Sequence, residues 1–177
     1  MIIYLFVMIF IITLMIIFVS NLDCNFQLCL FKSFGKRIET LEGKVCWITG
    51  AGSGIGRSLA DLLSNNGIRL VISDIDGDKL EEVKRLCLAT GHLKDNDVLV
   101  LCFDIRDTER HQSLVSKVLS HFERLDIVVL NVGRSQRASF ADIDVQVDRQ
   151  LFEVNVFGSV GLSRQVLRHI EFSRKIR

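Results

Sequence analysis

The sequence has no proline, one tryptophan and one tyrosine among its 177 residues. At a typical usage of ~5%, roughly nine prolines would be expected. We have no physical account of their absence, and no internal repeat or low-complexity segment accompanies it. An excess of either charge is also lacking: 22 basic residues face 21 acidic ones, for a net charge of +1. That balance excludes the basic footprint of a nucleic-acid-binding protein. The five cysteines make no metal motif. Cys24 and Cys29 lack tight spacing and have no histidine near them, so neither a zinc site nor a disulfide framework is expected. Cys46 and Cys102 lie in strand-like apolar runs and Cys87 on a helical apolar face, which predicts reduced core packing for all three. The four histidines, His92, His111, His121 and His169, fall away from strand ends and are expected at the surface. No Ser/His/Asp or Cys/His nucleophile arrangement can be assembled from them.

What the chain does have begins with a long apolar run, which inflates a hydrophobic content of 49%. Residues 2–19 carry no charge. As a helix they span roughly 27 Å, close to the ~30 Å hydrocarbon core of a bilayer. A helix apolar on every face is not one exposed to water. A cleaved signal peptide is the rival, but there is no basic leading region, the run exceeds the usual ~7–15 residues, and no A-x-A-like site follows. The reading is an uncleaved anchor over residues 1–20, touching membrane lipid through residues 2–19. Lys32, Lys36 and Arg37 follow it, which favours a cytoplasmic domain by the positive-inside rule. Residues 21–43 form a connector, whose Leu28, Leu30, Phe31 and Phe34 either lie in the membrane interface or pack on the domain.

Thr49 to Gly56 reads Thr-Gly-Ala-Gly-Ser-Gly-Ile-Gly. The apolar Val45-Cys46-Trp47-Ile48 leads in, and Ile55, Leu59, Leu62 and Leu63 lead out at helical spacing. That is a buried strand, a glycine turn and a helix N-terminus. Unpaired backbone N–H groups, a positive helix dipole and glycines that admit phosphate to the main chain suit a pyrophosphate. The common G-x-G-x-x-G fingerprint fails, because its third glycine falls on Ile55; T-G-x-x-x-G-x-G fits.

From residue 44 to 177 the pattern alternates strand and helix. Strands are predicted at Val45 to Thr49, Arg69 to Asp74, Val98 to Phe103 and Asp126 to Leu130. Helices are predicted from about Ile55 to Asn66 with Gly67 as a stop, then over Leu80, Val83, Leu86 and Cys87 with Asp78 as N-cap and Gly91 as a stop. A third starts near Asp107 and buries Leu114, Val115, Val118 and Phe122. A fourth runs from near Asp144 to about Ile170. Such alternation implies βαβ units and an α/β fold with a parallel sheet.

In an open parallel sheet, ligands bind beyond the carboxyl ends of the strands. Asp74 closes strand two, where a carboxylate accepts both hydroxyls of an adenosine ribose and repels a 2′-phosphate, favouring NAD over NADP. Arg57 is the cation that weighs against that preference. Asp104 closes strand three, where an adenine edge would lie. Asn131 and Gly133 follow strand four, and Asn155 interrupts helix four, although Asn is a poor helix former.

Together, Thr49-Gly50-x-x-x-Gly54-x-Gly56, Asp74, Asp104, Asn131-x-Gly133 and Asn155 make roughly residues 41 to 177 resemble the short-chain dehydrogenase/reductase family. The stretch Arg85 to Leu101 and Ser135-Gln136-Arg137 resemble a membrane-associated branch of it, acting on apolar alcohols and carbonyls such as retinoids, steroids and other lipids. The resemblance implies a Rossmann-type doubly wound parallel sheet, of which this chain supplies strands in the order 3-2-1-4, an endoplasmic reticulum membrane location and homo-oligomeric assembly. It implies that Thr49, Gly50, Ser53, Gly54, Ile55 and Gly56 hold the pyrophosphate, Asp74 the adenosine ribose and Asp104 the adenine. Asn131 and Gly133 would line the nicotinamide ribose, and Asn155 would be catalytic, fixing a water in a proton relay. Three departures stand out. Asn131-Val132-Gly133 replaces the family's Asn-Ala-Gly and follows Leu130 instead of a second asparagine. Asp74 looks NAD-like where the similar branch looks NADP-like. The family's catalytic Ser and Tyr-x-x-x-Lys lie after helix four, whereas the sole tyrosine here is Tyr4. These departures predict a fragment without turnover, with strand four left as an apolar edge. The competing reading is a non-catalytic dinucleotide-binding or interaction protein; another Rossmann-type binder, such as a methyltransferase, fits the glycine spacing and Asn155 less well.

Overall fold

The computed structural model describes the backbone of residues 2–20, 35, 37–89 and 91–175. Most of the expected connector, together with Cys24 and Cys29, lies outside the described residues. The chain divides into two units, residues 1–40 and 41–177.

The first unit contains helix α1, Ile2–Ser20, whose 19 residues include no charge. Its described side chains, residues 3–18, are all exposed. The Thr13 hydroxyl is satisfied locally, since its Oγ1 donates to the Ile9 carbonyl at 2.8 Å. Among the described residues, no helix is long and apolar enough to cross a membrane. The spanning anchor expected from the sequence is therefore not established, and an apolar helix without a polar face is.

The second unit carries strands β1 (Val45–Thr49), β2 (Arg69–Asp74), β3 (Val98–Cys102) and β4 (Ile127–Leu130). They form one parallel sheet in the order β3-β2-β1-β4. This is the Rossmann-type order expected. All five residues of β1 are buried, as a strand flanked on both sides must be, while β4 pairs only with β1 and ends with Leu130 exposed. Helices α2 (Gly54–Ser64), α3 (Gly77–Ala89) and α4 (His111–Phe122) supply the crossovers. The main core packs Trp47, Val71 and Leu101 of the sheet with Phe103 of the loop after β3 and with Leu114, Val118 and Phe122 of α4. Trp47 meets Phe103 edge-on at 6.4 Å and donates its indole N–H to Ser73 Oγ at 3.0 Å, so its one polar atom is paired in the interior.

Four local expectations need correction. Asp78 does not cap α3; Asp76 does, its Oδ1 accepting from the Lys79 amide at 3.2 Å, because the helix starts at Gly77. Cys46 and Cys87 are buried as expected, but Cys102 is exposed at the end of the edge strand β3. The predicted fourth helix is not continuous: α5 (Val145–Phe152), capped by Asp144 through the Gln146 amide at 2.7 Å, gives way to a π-helical turn over Glu153–Gly158 before α6 (Ser159–Lys175). Finally, His111 is fully buried. Its place in the row His111, Leu114, Val115, Val118, Phe122 puts it on the inner stripe of α4.

Candidate functional site

The site is assembled where β1, β2, β3 and β4 end. Thr49, the last residue of β1, is buried, and its hydroxyl is a node. Oγ1 accepts from the amides of Asn131 at 3.1 Å and Val132 at 3.3 Å, and its own hydroxyl reaches the Val129 carbonyl at 3.4 Å. The turn that follows depends on three glycines for different reasons. Gly50 and Gly54 adopt φ of +66° and +52°, in the left-handed region. Gly56 lies in α2, and a Cβ there would stand 2.1 Å from the Gly50 carbonyl oxygen. The first amides of α2, lacking helical partners, therefore open onto a cleft rather than onto side chains.

Asp74 closes β2 and turns back on this loop. Its Oδ2 accepts the Gly52 amide at 3.0 Å and its Oδ1 the Asp76 amide at 3.2 Å, which fixes the carboxylate and leaves acceptor capacity on both oxygens. Ile75 beside it is exposed and uncharged. Arg57 reaches Glu82 of α3, with Nη1 and Oε2 4.0 Å apart, so the nearby cation has a competing anion.

Asp104 stands at the end of β3 in the fork of Arg106, whose Nε and Nη2 bond Oδ2 at 3.0 and 2.5 Å. That hydrogen bonding holds the Asp104 carboxyl below the usual range, against a smaller opposing effect of burial. On the other side, Asn131 does not simply present its amide to the cleft. Its Nδ2 donates to the Gly50 carbonyl at 3.1 Å and buttresses the glycine turn. Val132 packs on Gly50 as well, 3.1 Å from where a Cβ would be.

Asn155 occupies the π turn. Its Oδ1 accepts the Arg134 amide at 2.8 Å and its Nδ2 donates to the Arg134 carbonyl at 2.9 Å. Both ends of the amide are thus engaged by backbone, an arrangement for positioning a loop. Gly133 lies beside this contact, with room for a Cβ 3.6 Å from Asn155 Oδ1.

A cavity of about 460 Å³ joins these pieces. Of the residues singled out in the sequence, Thr49, Gly50, Ser53, Gly54, Ile55, Asp74, Asp104, Asn131 and Gly133 line it. Gly56 and Asn155 are not among its lining residues. The sequence reading missed Phe103, Ile105, Arg106, Arg134 and Val154, which also line it. Arg106 was detectable as the cation two residues after Asp104; the apolar wall residues carry no signal apart from core hydrophobicity. A cleft with a glycine cradle at one end and a fixed carboxylate beyond it fits a dinucleotide.

The short chain dehydrogenase model matches residues 44–175. The chain belongs to the short-chain dehydrogenase family. Among its relatives, it is 44% identical over 137 residues to Dehydrogenase/reductase SDR family member 7 of Mus musculus and 46% identical over 137 residues to that of Homo sapiens. Both alignments cover 77% of this chain and 40% of the relative, so the chain spans about two-fifths of the length of these proteins. Among solved structures, the NAD+-bound xylitol dehydrogenase matches with a TM-score of 0.67 at 25% identity, over 72% of this chain and 48% of that one. The NAD-bound short chain dehydrogenase of Mycobacterium paratuberculosis matches with a TM-score of 0.65 at 29% identity, over 71% and 49%. The family's activity is NAD(P)-dependent oxidoreduction.

Proposed function

We propose that residues 44–177 form the cofactor-holding part of an oxidoreductase that transfers hydride between the nicotinamide and an apolar, lipid-like alcohol or carbonyl, with NAD preferred over NADP. The observation that carries the preference is the Asp74 carboxylate, fixed by the Gly52 and Asp76 amides while Arg57 is drawn to Glu82. A fixed anion there accepts ribose hydroxyls and repels a 2′-phosphate.

The bound nicotinamide would supply the hydride chemistry. The chain's own residues bind and orient: the Thr49–Gly56 turn receives the pyrophosphate, Asp74 the adenosine ribose, and the wall at Asp104 the adenine. Arg106 already occupies the Asp104 carboxylate, so adenine recognition there uses Asp104 only if that fork opens. Asn131 and Gly133 shape the nicotinamide side, and Asn155 holds that loop through Arg134. The family's Tyr-x-x-x-Lys acid–base pair does not occur in residues 1–177, whose sole tyrosine is Tyr4. We therefore expect binding without turnover from these residues alone, which is also what the non-catalytic reading requires. Helix α1, apolar on all its described sides, supports association with a membrane, such as that of the endoplasmic reticulum.

Calorimetric titration with NADH and NADPH tests the cofactor, and absorbance at the reduced nicotinamide band with retinol or a steroid tests turnover. Tighter NADPH binding would overturn the preference. Robust turnover lost on Asn155→Ala would overturn the claim that further residues are needed for chemistry.

A further inference from the structure

The buried His111 is used by neither the cofactor contacts nor the chemistry above. Its Nε2 lies 3.0 Å from the Ile105 carbonyl. A carbonyl can only accept, so Nε2 carries the proton and Nδ1 is the bare acceptor of a neutral ring. Nδ1 is buried without a hydrogen-bond partner among the described residues. On that side the ring presses on α6, where a Cβ on Gly161 would fall 3.1 Å from Nδ1 and 3.3 Å from Cε1. On another side it meets Phe103 edge-on, with ring centroids 6.0 Å apart. Phe103 and Ile105 are both core residues and cavity lining. The Ile105 carbonyl is also hemmed in by the π turn, since a Cβ on Gly158 would approach it to 2.7 Å. One imidazole therefore ties the adenine-side wall to α4 and packs that wall against the helix that continues from Asn155.

We propose that His111 is a positioning residue for the dinucleotide pocket: as the neutral Nε2–H tautomer it holds the Ile105 carbonyl and with it the wall from Phe103 to Arg106, and a second proton, on Nδ1, puts a charge into this apolar core and loosens the packing of that wall against α4 and α6, although the Nε2–H bond itself persists. The inference rests on the reading of the cleft as a cofactor site. A proton on Nδ1 adds a buried donor that meets only the Gly161 backbone, outside good hydrogen-bonding geometry. The surrounding charges do little to welcome it. From the loop, Asp107 favours the cation but shares its charge with Arg110, 3.8 Å away. Asp104 is held in the Arg106 fork. From α6, Arg164 lines the same groove as Gly161 and Thr108 and is of like charge. The facing positions of α4, Leu114 and Val115, are apolar. Burial accordingly lowers the pKa of His111, with the Ile105 carbonyl, Asp107 and the Gly161 backbone opposing more weakly.

The test uses the full chain in detergent micelles and has two arms. Without ligand, imidazole nitrogen–proton correlation spectra should show the Nε2–H tautomer at His111. The amides of Phe103 to Arg106 should shift with its titration and stop doing so in His111→Gln, which keeps an N–H donor but does not titrate. An Nδ1–H tautomer, or wall amides indifferent to the titration, overturns the proposal. In the second arm, NAD affinity should weaken from about pH 8 to about pH 5.5 by up to about fivefold, since one unit of pKa difference between bound and free protein gives its full tenfold only well below both values. In His111→Gln it should weaken less than about twofold, and His111→Leu, which has no donor, should bind poorly at both pH values. A variant that keeps the wild-type pH dependence overturns the proposal. Absence of NAD binding at about pH 8, with the first arm as expected, overturns the cofactor reading and supports the coupling of His111 to the wall.

Discussion

The side-chain amide of Asn155 is matched end for end with the main chain of Arg134, accepting from its N–H at 2.8 Å and donating to its carbonyl at 2.9 Å. The pairing joins the π turn to the loop after β4. Asn155→Ala removes both bonds and leaves the Arg134 groups to water, because the contact is exposed. A cost of about 1–2 kcal/mol is expected, with faster hydrogen exchange at Arg134 and little change in β1 or β2. Urea denaturation and exchange of the Arg134 amide check this. Unchanged exchange would mean that the loop is held by something else.

Cofactor choice should follow charge at Asp74. Asp74→Asn keeps an oxygen for the Gly52 amide and removes the anion. The ratio of NADPH to NADH affinity should rise about tenfold, corresponding to ~1.4 kcal/mol. Glu82→Gln frees Arg57 from its 4.0 Å partner and should raise the same ratio by about twofold, the size of an exposed ion-pair effect. A falling ratio in either variant would count against an electrostatic origin.

The glycines of the turn should rank by their mechanism. Gly54 has a positive φ but open space around a Cβ, so Gly54→Ala should cost about 1 kcal/mol. In Gly56→Ala a Cβ would stand 2.1 Å from the Gly50 oxygen, so the backbone must move and the loss should reach about 3 kcal/mol or more. Thermal denaturation of the two variants gives the order directly. Equal losses would mean that the helix yields to the Gly56 side chain more easily than its packing suggests.

Acid stability should depend on Asp126. Its Oδ2 accepts the Val45 amide at 2.9 Å and its carboxylate sits in the Arg124 fork, with Lys44 3.7 Å away. Burial raises its pKa, but the Arg124 hydrogen bond, the Val45 amide and the charges of Arg124 and Lys44 together win and leave it lowered. A lowered carboxyl pKa means that the unfolded chain binds the proton first as pH falls. The stabilisation is therefore complete above the unfolded value of about 3.9 and is lost as pH drops through the folded value. Asp126→Asn should be about 1–2 kcal/mol less stable near neutrality, and the gap should close in strong acid. A gap that persists there would point to packing instead of charge.

Much of the sheet could be read from the sequence because four short apolar runs, each ending in or followed by a polar residue, have few other uses. The glycine turn and Asp74 were legible for the same reason: their chemistry is local. The π turn was not, because Asn155 looks like any weak helix former until Arg134 of a distant loop is brought against it. His111 was missed because residue type outweighed position. Its i, i+3, i+4 relation to Leu114 and Val115 pointed inward, but a histidine is rarely buried unless something needs its hydrogen bond. The pocket wall at Phe103 and Ile105 was hidden because its members also fill the core, and hydrophobicity does not distinguish the two roles.

Thr49 gathers the Asn131 and Val132 amides on one oxygen while its strand runs straight into the glycine turn. The glycine turn proposed to receive the pyrophosphate and the loop proposed to shape the nicotinamide side are thus ordered together. Conformational freedom that a ligand would otherwise have to remove from the loop after β4 is already gone when the chain folds. The entropy of binding then falls mainly on the small molecule, so that a ligand occupying only the adenosine half finds the far half of its cleft already in order.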